Sequence, residues 1–257
     1  MGIVAIIREV PEALARCELS FVERTHIDLA LARRQHEAYG EALRARGCEL
    51  QQMRPLDEFA DSVFVEDTAL VFDELAVLTR PGAPSRRAEV ESVGAALARY
   101  RQLARIEAEG TIDGGDVLRI GRRVYVGRSA RSNDEGIRQL TALLQPHGYS
   151  VQAVTTRECL HLKSAVTQVA PDTILVQPRW LDESGSPFTG YQRIEVDPSE
   201  EHAANAVLVN GGIVYPDCFP RTRVRLEQAG IEITAVDVSE LQKAEGAVTC
   251  CSLLVAT

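Results

Sequence analysis

The groups in this 257-residue chain that are able to do nucleophilic chemistry are a thiol, an imidazole and several carboxylates, spread along its length. Two adjacent cysteines, Cys250 and Cys251, stand in Thr249-Cys250-Cys251-Ser252 at the head of the apolar run Leu253-Leu254-Val255. A thiol at the mouth of a strand can be a nucleophile, although an unpaired cysteine is often only a small buried hydrophobe. His161 lies in Leu160-His161-Leu162-Lys163-Ser164, and Asp113 opens Asp113-Gly114-Gly115-Asp116. Asp61, Glu66 and Asp67 fall within Phe59-Ala60-Asp61-Ser62-Val63-Phe64-Val65-Glu66-Asp67. Cysteine, histidine and carboxylates together form the parts list for covalent catalysis with acid–base help. Taken singly, each has a plainer reading: a satisfied histidine, or an aspartate serving a glycine-rich turn.

What favours the joint reading is that these clusters recur at equivalent places in a repeated unit. A polar cluster is followed by an apolar strand, a turn and often a second strand. The clearest copy runs from Asp113 through Val117-Leu118-Arg119-Ile120, a turn at Gly121-Arg122-Arg123, and Val124-Tyr125-Val126-Gly127. The Asp61 cluster likewise precedes Ala69-Leu70-Val71-Phe72, with Ala76-Val77-Leu78-Thr79 returning, and His161 precedes Ile174-Leu175-Val176. A fourth copy turns at Asn210-Gly211-Gly212, residues tolerant of positive φ and therefore a hairpin signal. The fifth is the cysteine pair with its strand, which is placed to pair with Ile3 to Ile7.

Helical patterns fill the intervals: residues 26–46 with Leu29, Leu31, Ala38, Tyr39 and Leu43; 85–100 with Val90, Val93, Ala96 and Leu97; 133–147 with Ile137, Leu140, Leu143 and Leu144, ended by Gly148; and 222–229. Copies about 45 to 50 residues apart point to a propeller or another radial array in preference to a conventional layered α/β sandwich. In such an array the polar clusters converge on a central channel. The whole chain, 1–257, then reads as a single catalytic domain.

Composition narrows the partners. With 45% hydrophobic and 25% charged residues the chain is an ordinary globular one, and a net charge of −9 argues against a nucleic-acid partner held through phosphates. The apolar opening is cut short by Arg8-Glu9 and Pro11, so neither a signal peptide nor a membrane span is expected. Six cysteines without Cys-x-x-Cys spacing fit a reduced, cytoplasmic protein rather than a disulfide scaffold or a zinc site.

The motifs quoted above, with Thr79-Arg80-Pro81-Gly82, Ser85-Arg86-Arg87 and Gly110-Thr111-Ile112 before Asp113, resemble those of dimethylarginine dimethylaminohydrolases, members of the guanidino-group-modifying superfamily. They run in the same order from about residue 55 to the last residues. The resemblance implies a five-bladed α/β propeller that hydrolyses asymmetric dimethylarginine or monomethylarginine to citrulline and a methylamine, with no cofactor and no metal. It implies Cys250 as nucleophile, His161 as general acid and base, and Asp113 as the acid that orients it. Asp61, Glu66 and Asp67 would surround the guanidinium and Phe64 line the pocket. Arg86 and Arg131 would hold the α-carboxylate, Leu19 belong to a lid, and Ala244 and Glu245 lie at the α-amino group. Two departures fall there: Glu245 stands where the family tends to carry Asp, and Ala244 where it carries a larger aliphatic residue. Cys251, one residue on, reads as a packing residue on the other face of the strand.

Carboxylates beside a thiol raise its pKa, so Cys250 is expected to be mostly protonated in the empty site. Two other functions compete. An arginine deiminase-like hydrolase would act on another guanidine, and a non-catalytic propeller would bind a basic ligand in its acidic channel. Zinc held by Cys250 and His161 alone would inhibit rather than serve. Self-association into a homodimer stays open.

Overall fold

The computed structural model describes residues 2–182, 184 and 187–257. Strand β1 (Ile3–Arg8) runs parallel to β2 (Cys48–Met53), with helix α1 (Leu29–Ala45) as the crossover. The next sheet holds β3 (Ala69–Val71), β4 (Leu75–Leu78) and β5 (Gln102–Arg105), with α2 (Val90–Leu97) between the last two. Strands β6 (Val117–Ile120), β7 (Arg123–Arg128) and β8 (Ser150–Thr155) follow, with α3 (Asp134–Leu144) in the same place. Helix α4 (Leu162–Ala165) leads into β9 (Val166–Ala170), β10 (Thr173–Val176) and β11 (Gln192–Glu195). Strands β12 (Val207–Val209), β13 (Gly212–Pro216) and β14 (Ile233–Val236) enclose α5 (Pro220–Gln228). Finally β15 (Leu253–Ala256) returns to β1.

Every sheet has one plan: an antiparallel pairing of the innermost with the middle strand, then a parallel step to the outer strand. A parallel step needs a crossover, which is why the helices fall where they do. Residues from all five innermost strands, among them Leu70, Leu118, Thr167, Leu208 and Leu254, line one central cavity of about 250 Å³. The fold is the five-bladed α/β propeller. Its apolar core lies between blades, as where Leu118 and Ile120 pack with Val166, Ile174 and Val176.

Local sequence explains most boundaries. Asp28 and Asn133 cap α1 and α3 through side-chain bonds to the amides of Leu31 and Gly136. Gly148 takes the left-handed conformation, φ 76°, past the end of the third helical stretch, and Asn210 and Gly211 make the positive-φ hairpin turn. The structure departs from expectation in four places. The buried stripe of α1 is Ala32, Gln35, His36, Tyr39, Ala42 and Leu43, while Ala38 faces solvent, because Tyr39 turns inward to bond Ser252 Oγ at 2.7 Å. The stretch from residue 85 begins as a 3₁₀ turn (Pro84–Glu89) before becoming α2. The third blade's crossover holds, among the described residues, only a 3₁₀ turn at Pro178–Trp180. Cys250 and Cys251 lie in a 3₁₀ turn (Thr249–Cys251) that precedes β15, so strand alternation does not separate them.

First and last strands share a sheet, with Ile3 opposite Ala256 and Ile6 opposite Leu253. Ile6 is fully buried beside Val65, Ala69 and Leu253. Ile6→Ala is expected to cost about 2–5 kcal/mol in urea unfolding; a loss under about 1 kcal/mol would mean that this joint is not closely packed.

Candidate active site

Short helical turns precede four of the five innermost strands, and they meet at one end of the central channel. The turn Val65–Thr68 packs against Thr249–Cys251 and Gly114–Asp116, and α4, capped by His161, packs against Gly114–Asp116. The fourth blade contributes Asn205, which joins Thr249 through two hydrogen bonds of 3.0 Å and donates to the Lys163 carbonyl. Four polar motifs that are distant in sequence thus become neighbours.

The glycine pair after Asp113 makes this approach possible. A Cβ on Gly114 would lie 1.9 Å from the Glu66 carbonyl oxygen, and one on Gly115 2.5 Å from His161 Nδ1. These glycines are therefore needed for close packing of backbone and ring, beyond any role in turning the chain.

His161 Nε2 lies 3.0 Å from Asp113 Oδ2 and 4.0 Å from Asp67 Oδ1. Asp113 is fully buried; its other oxygen accepts from the Gly82 amide at 2.8 Å. Asp67 accepts from the Gly115 amide at 2.9 Å and from Arg86 Nη1 at 2.6 Å. Burial alone would discharge Asp67, but the pairing wins: His161 and Arg86 hold it down to about 2. Against the same burial, Asp67, Asp113 and Asp116 hold His161 up to about 9, so the imidazole is a cation at neutral pH. Asp116, pushed up to about 6 by burial, accepts from Ser129 and Ser132 hydroxyls and from the Leu162 amide, which fixes the turn carrying His161.

Cys250 is partly accessible while Cys251 is fully buried. Burial, then Glu66 and Asp67, push the Cys250 thiol up to about 12, the direction expected of an empty acidic site. Glu66 bonds Lys163 Nζ through one oxygen and Thr249 Oγ1, at 2.9 Å, through the other. All three residues also line the central cavity. Asp116, Lys163 and Thr249 lie inside the quoted motifs, which assign them no role of their own, and Asn205 lies outside those motifs.

Phe64 is buried with its ring on Gly246, where a Cβ would lie 2.2 Å from Phe64 Cε1. That contact also fixes Ala244 and Glu245, the first buried and the second in a left-handed conformation at φ 56°. Glu245 Oε1 accepts from the amides of Ser20, Phe21 and Val22. Leu19, half-buried, sits between these and Glu18, whose amide bonds Asp61 Oδ2 at 3.1 Å. Asp61 thus anchors the base of the 18–22 segment and borders a separate small cavity with Ala13, Arg16 and Ser85. Arg131 is half-buried and reaches Ser20 Oγ at 3.3 Å.

Arg86 is buried, unlike the half-buried Arg131. It is 4% exposed, and its guanidinium is committed to Asp67, Glu89 and the carbonyls of Asp61 and Phe64. Such a buried cation is stable only because partners surround it. The neighbouring Arg87 is half-buried and bonds the Pro81 carbonyl at 3.1 Å, one residue from Gly82, which packs on the Arg131 backbone.

The donor atoms of Asp67, Asp113 and His161 lie within 4.8 Å of one another, the spacing of a metal cluster. A protonated imidazole bonded to Asp113, and an Asp67 already bonded to Arg86 and Gly115, make this a hydrogen-bonded acid–base unit rather than a ligand set.

Comparison with known proteins agrees with the motifs. The family model described as arginine deiminase matches residues 56–210. The N(G),N(G)-dimethylarginine dimethylaminohydrolase of Streptomyces coelicolor is 41% identical over 251 residues, 97% of this chain and 95% of that one. The enzyme of that name from Pseudomonas aeruginosa is 38% identical over 228 residues, 88% and 89% of the two chains. A solved structure of a Pseudomonas aeruginosa mutant complexed with citrulline superposes with a TM-score of 0.93 at 36% identity, over 99% of each chain. Fold, motif order and identity over nearly the whole length agree: the chain belongs to the dimethylarginine dimethylaminohydrolase family.

Proposed function

We propose that this protein hydrolyses Nω-methylated arginine, asymmetric dimethylarginine or monomethylarginine, to citrulline and dimethylamine or methylamine. The observation that carries the reading is the His161–Asp113 pair at 3.0 Å, sharing Asp67 as a neighbour with the thiol of the half-buried Cys250. The relatives named for this reaction, one of them solved with citrulline, support it.

The carbon of a guanidinium is a poor electrophile, so the reaction needs a strong nucleophile, and a thiolate is the best that proteins supply. A thiol at about 12 is inert until the substrate arrives. A guanidinium about 4 Å away contributes on the order of 4 kcal/mol at an effective dielectric near 20, which lowers the thiol by about three pH units. The same cation screens Glu66 and Asp67, the carboxylates that hold the thiol up, so one charge acts twice. Each carboxylate keeps unused lone pairs for it. The Cys250 thiol loses its proton to solvent, and the thiolate adds to the guanidinium carbon, forming a C–S bond as the C–N π electrons move to nitrogen. His161 donates its proton to the departing amine nitrogen as the C–N bond breaks, leaving an S-alkylthiouronium on Cys250. The neutral imidazole next takes a proton from water, the hydroxide adds to the same carbon, and cleavage of the C–S bond releases citrulline and the thiol.

At the other end of the substrate, Arg131 takes the α-carboxylate and Glu245 with Ala244 the α-amino group, under a lid that includes Leu19. Arg86, with its donors committed, serves to hold Asp67, and Arg87 supplies the second cation near the carboxylate. Phe64 walls the pocket and Asp61 anchors the lid. The chain acts as one catalytic domain, and its six free thiols support a reducing, cytoplasmic setting. Among the described residues no helix is long and apolar enough to cross a membrane.

A side-by-side assay should release dimethylamine and methylamine from the methylated arginines much faster than ammonia from arginine; the reverse order would assign a deiminase. Thiolate absorbance of the free enzyme should be absent up to pH 9 and appear when a substrate analogue binds, and a free-enzyme thiol pKa below about 7 would sink substrate-driven ionisation. Protonated His161 is the acid, and protonation is lost as pH rises through about 9, so the amine-release step should fall on that limb. His161→Ala should lower turnover about 10²- to 10⁴-fold with substrate affinity within a few-fold; near-normal turnover would remove it from the mechanism.

A further inference from the structure

One oxygen of Glu245 is fully used and the other is not. Oε1 takes the amides of three consecutive residues, Ser20 and Val22 at 2.8 Å and Phe21 between them. Oε2 is buried and has no hydrogen-bond partner among the described residues. A buried carboxylate oxygen without a donor is uncommon and expensive. Glu245 also holds φ at 56°, a conformation that costs a non-glycine residue free energy and persists only where the surroundings enforce it. The enforcing contacts are the three amides and the Phe64 ring on Gly246.

The opposite charge is tied to the same residue. Arg131 Nη2 donates to Ser20 Oγ at 3.3 Å, while the Ser20 amide donates to Glu245. An anion with an unpartnered oxygen among the described residues and a cation are therefore both tied to one serine. An α-amino acid head group, with ammonium and carboxylate on a single carbon, carries the complementary pair of charges. Phe21, 54% exposed, and Val22 cover this point and border a cavity of about 330 Å³ together with Glu245 and Gly246.

We propose that Glu245 is a divided ligand: Oε1 latches the 20–22 segment shut, and Oε2 receives the α-ammonium of the substrate, so that lid closure and selection for a free amino acid depend on one side chain. This rests on the methylarginine reading and extends it from contact to coupling. A latched lid holds Glu245 in its costly conformation before substrate arrives, so the substrate does not have to supply that ordering. By reciprocity, an ammonium on Oε2 that fixes the carboxylate must tighten the lid.

Two variants separate the two halves. In Glu245→Gln the three amides converge on one atom, and only the carbonyl oxygen of the new side chain can accept them. Its NH₂ group is thereby turned to where the ammonium would bind. The lid should stay latched, with hydrogen exchange at Ser20, Phe21 and Val22 within a few-fold of the wild type. The kcat/KM preference for monomethylarginine over its analogue lacking the α-amino group should fall about 10- to 100-fold. In Glu245→Ala both properties should go, with exchange at the three amides faster by on the order of 10-fold or more. Wild-type exchange in Glu245→Ala would overturn the latch, and an undiminished preference in Glu245→Gln would overturn the assignment of Oε2. The exchange measurement needs no turnover, so failure of the latch and failure of methylarginine hydrolysis are separate results.

Discussion

Asp67 is held between two cations, and most of the site follows from that. Arg86 approaches one oxygen at 2.6 Å, and the other accepts from the Gly115 amide and lies 4.0 Å from His161. These partners come from the first three blades after β2. Removing one member of such a buried pair costs about 3–5 kcal/mol because the survivor is left without compensation. The arrangement therefore ties the relative positions of three blades to the protonation state of one imidazole. Arg86 is itself anchored by Glu89 and by the carbonyls of Asp61 and Phe64, so the network reaches the residue that walls the pocket.

The propeller makes this convergence available. Each blade begins with its polar cluster and passes at once into the innermost strand, so five equivalent starts surround one axis. Closing the ring with β15 against β1 brings Thr249 and Cys250 to the same level as Glu66, where Thr249 bonds its carboxylate at 2.9 Å. Lys163, Glu66 and Thr249 then form a polar layer bordering the central cavity. Above it the thiol sits among carboxylates that discourage its ionisation, an environment a guanidinium is suited to reverse.

Specificity is shared between ends of unlike character. At the reacting end, fixed charges on short turns leave little freedom, and Gly114 and Gly115 let backbone and ring approach more closely than any side chain would allow. At the amino-acid end, the contacts are made to an exposed segment, 18–22, held by one hydrogen bond each to Asp61 and Arg131 and by three amides on Glu245. Local opening is cheap where backbone bonds are few and exposed. A segment that must admit a substrate is drawn from that class.

By itself the sequence determined the repeat, the hairpin and cap signals at Asn210-Gly211, Asn133 and Gly148, and the motifs that name the family, because each is written in a few adjacent residues. It pointed to Cys250, His161 and Asp113 as one set, and the structure brings the turns that carry them into one cluster. It did not show that Arg86 faces inward while Arg87 and Arg131 do not, nor that Lys163, Asp116, Thr249 and Asn205 complete the site. Those outcomes are set by contacts between residues tens to hundreds of positions apart. The same arginine is a surface cation or a buried strut depending on which carboxylates the other blades supply. Glu245 shows the limit most clearly: its chemistry is evident from its name, but the tertiary fold alone decided that one of its oxygens would meet three amides more than 220 residues away and the other none.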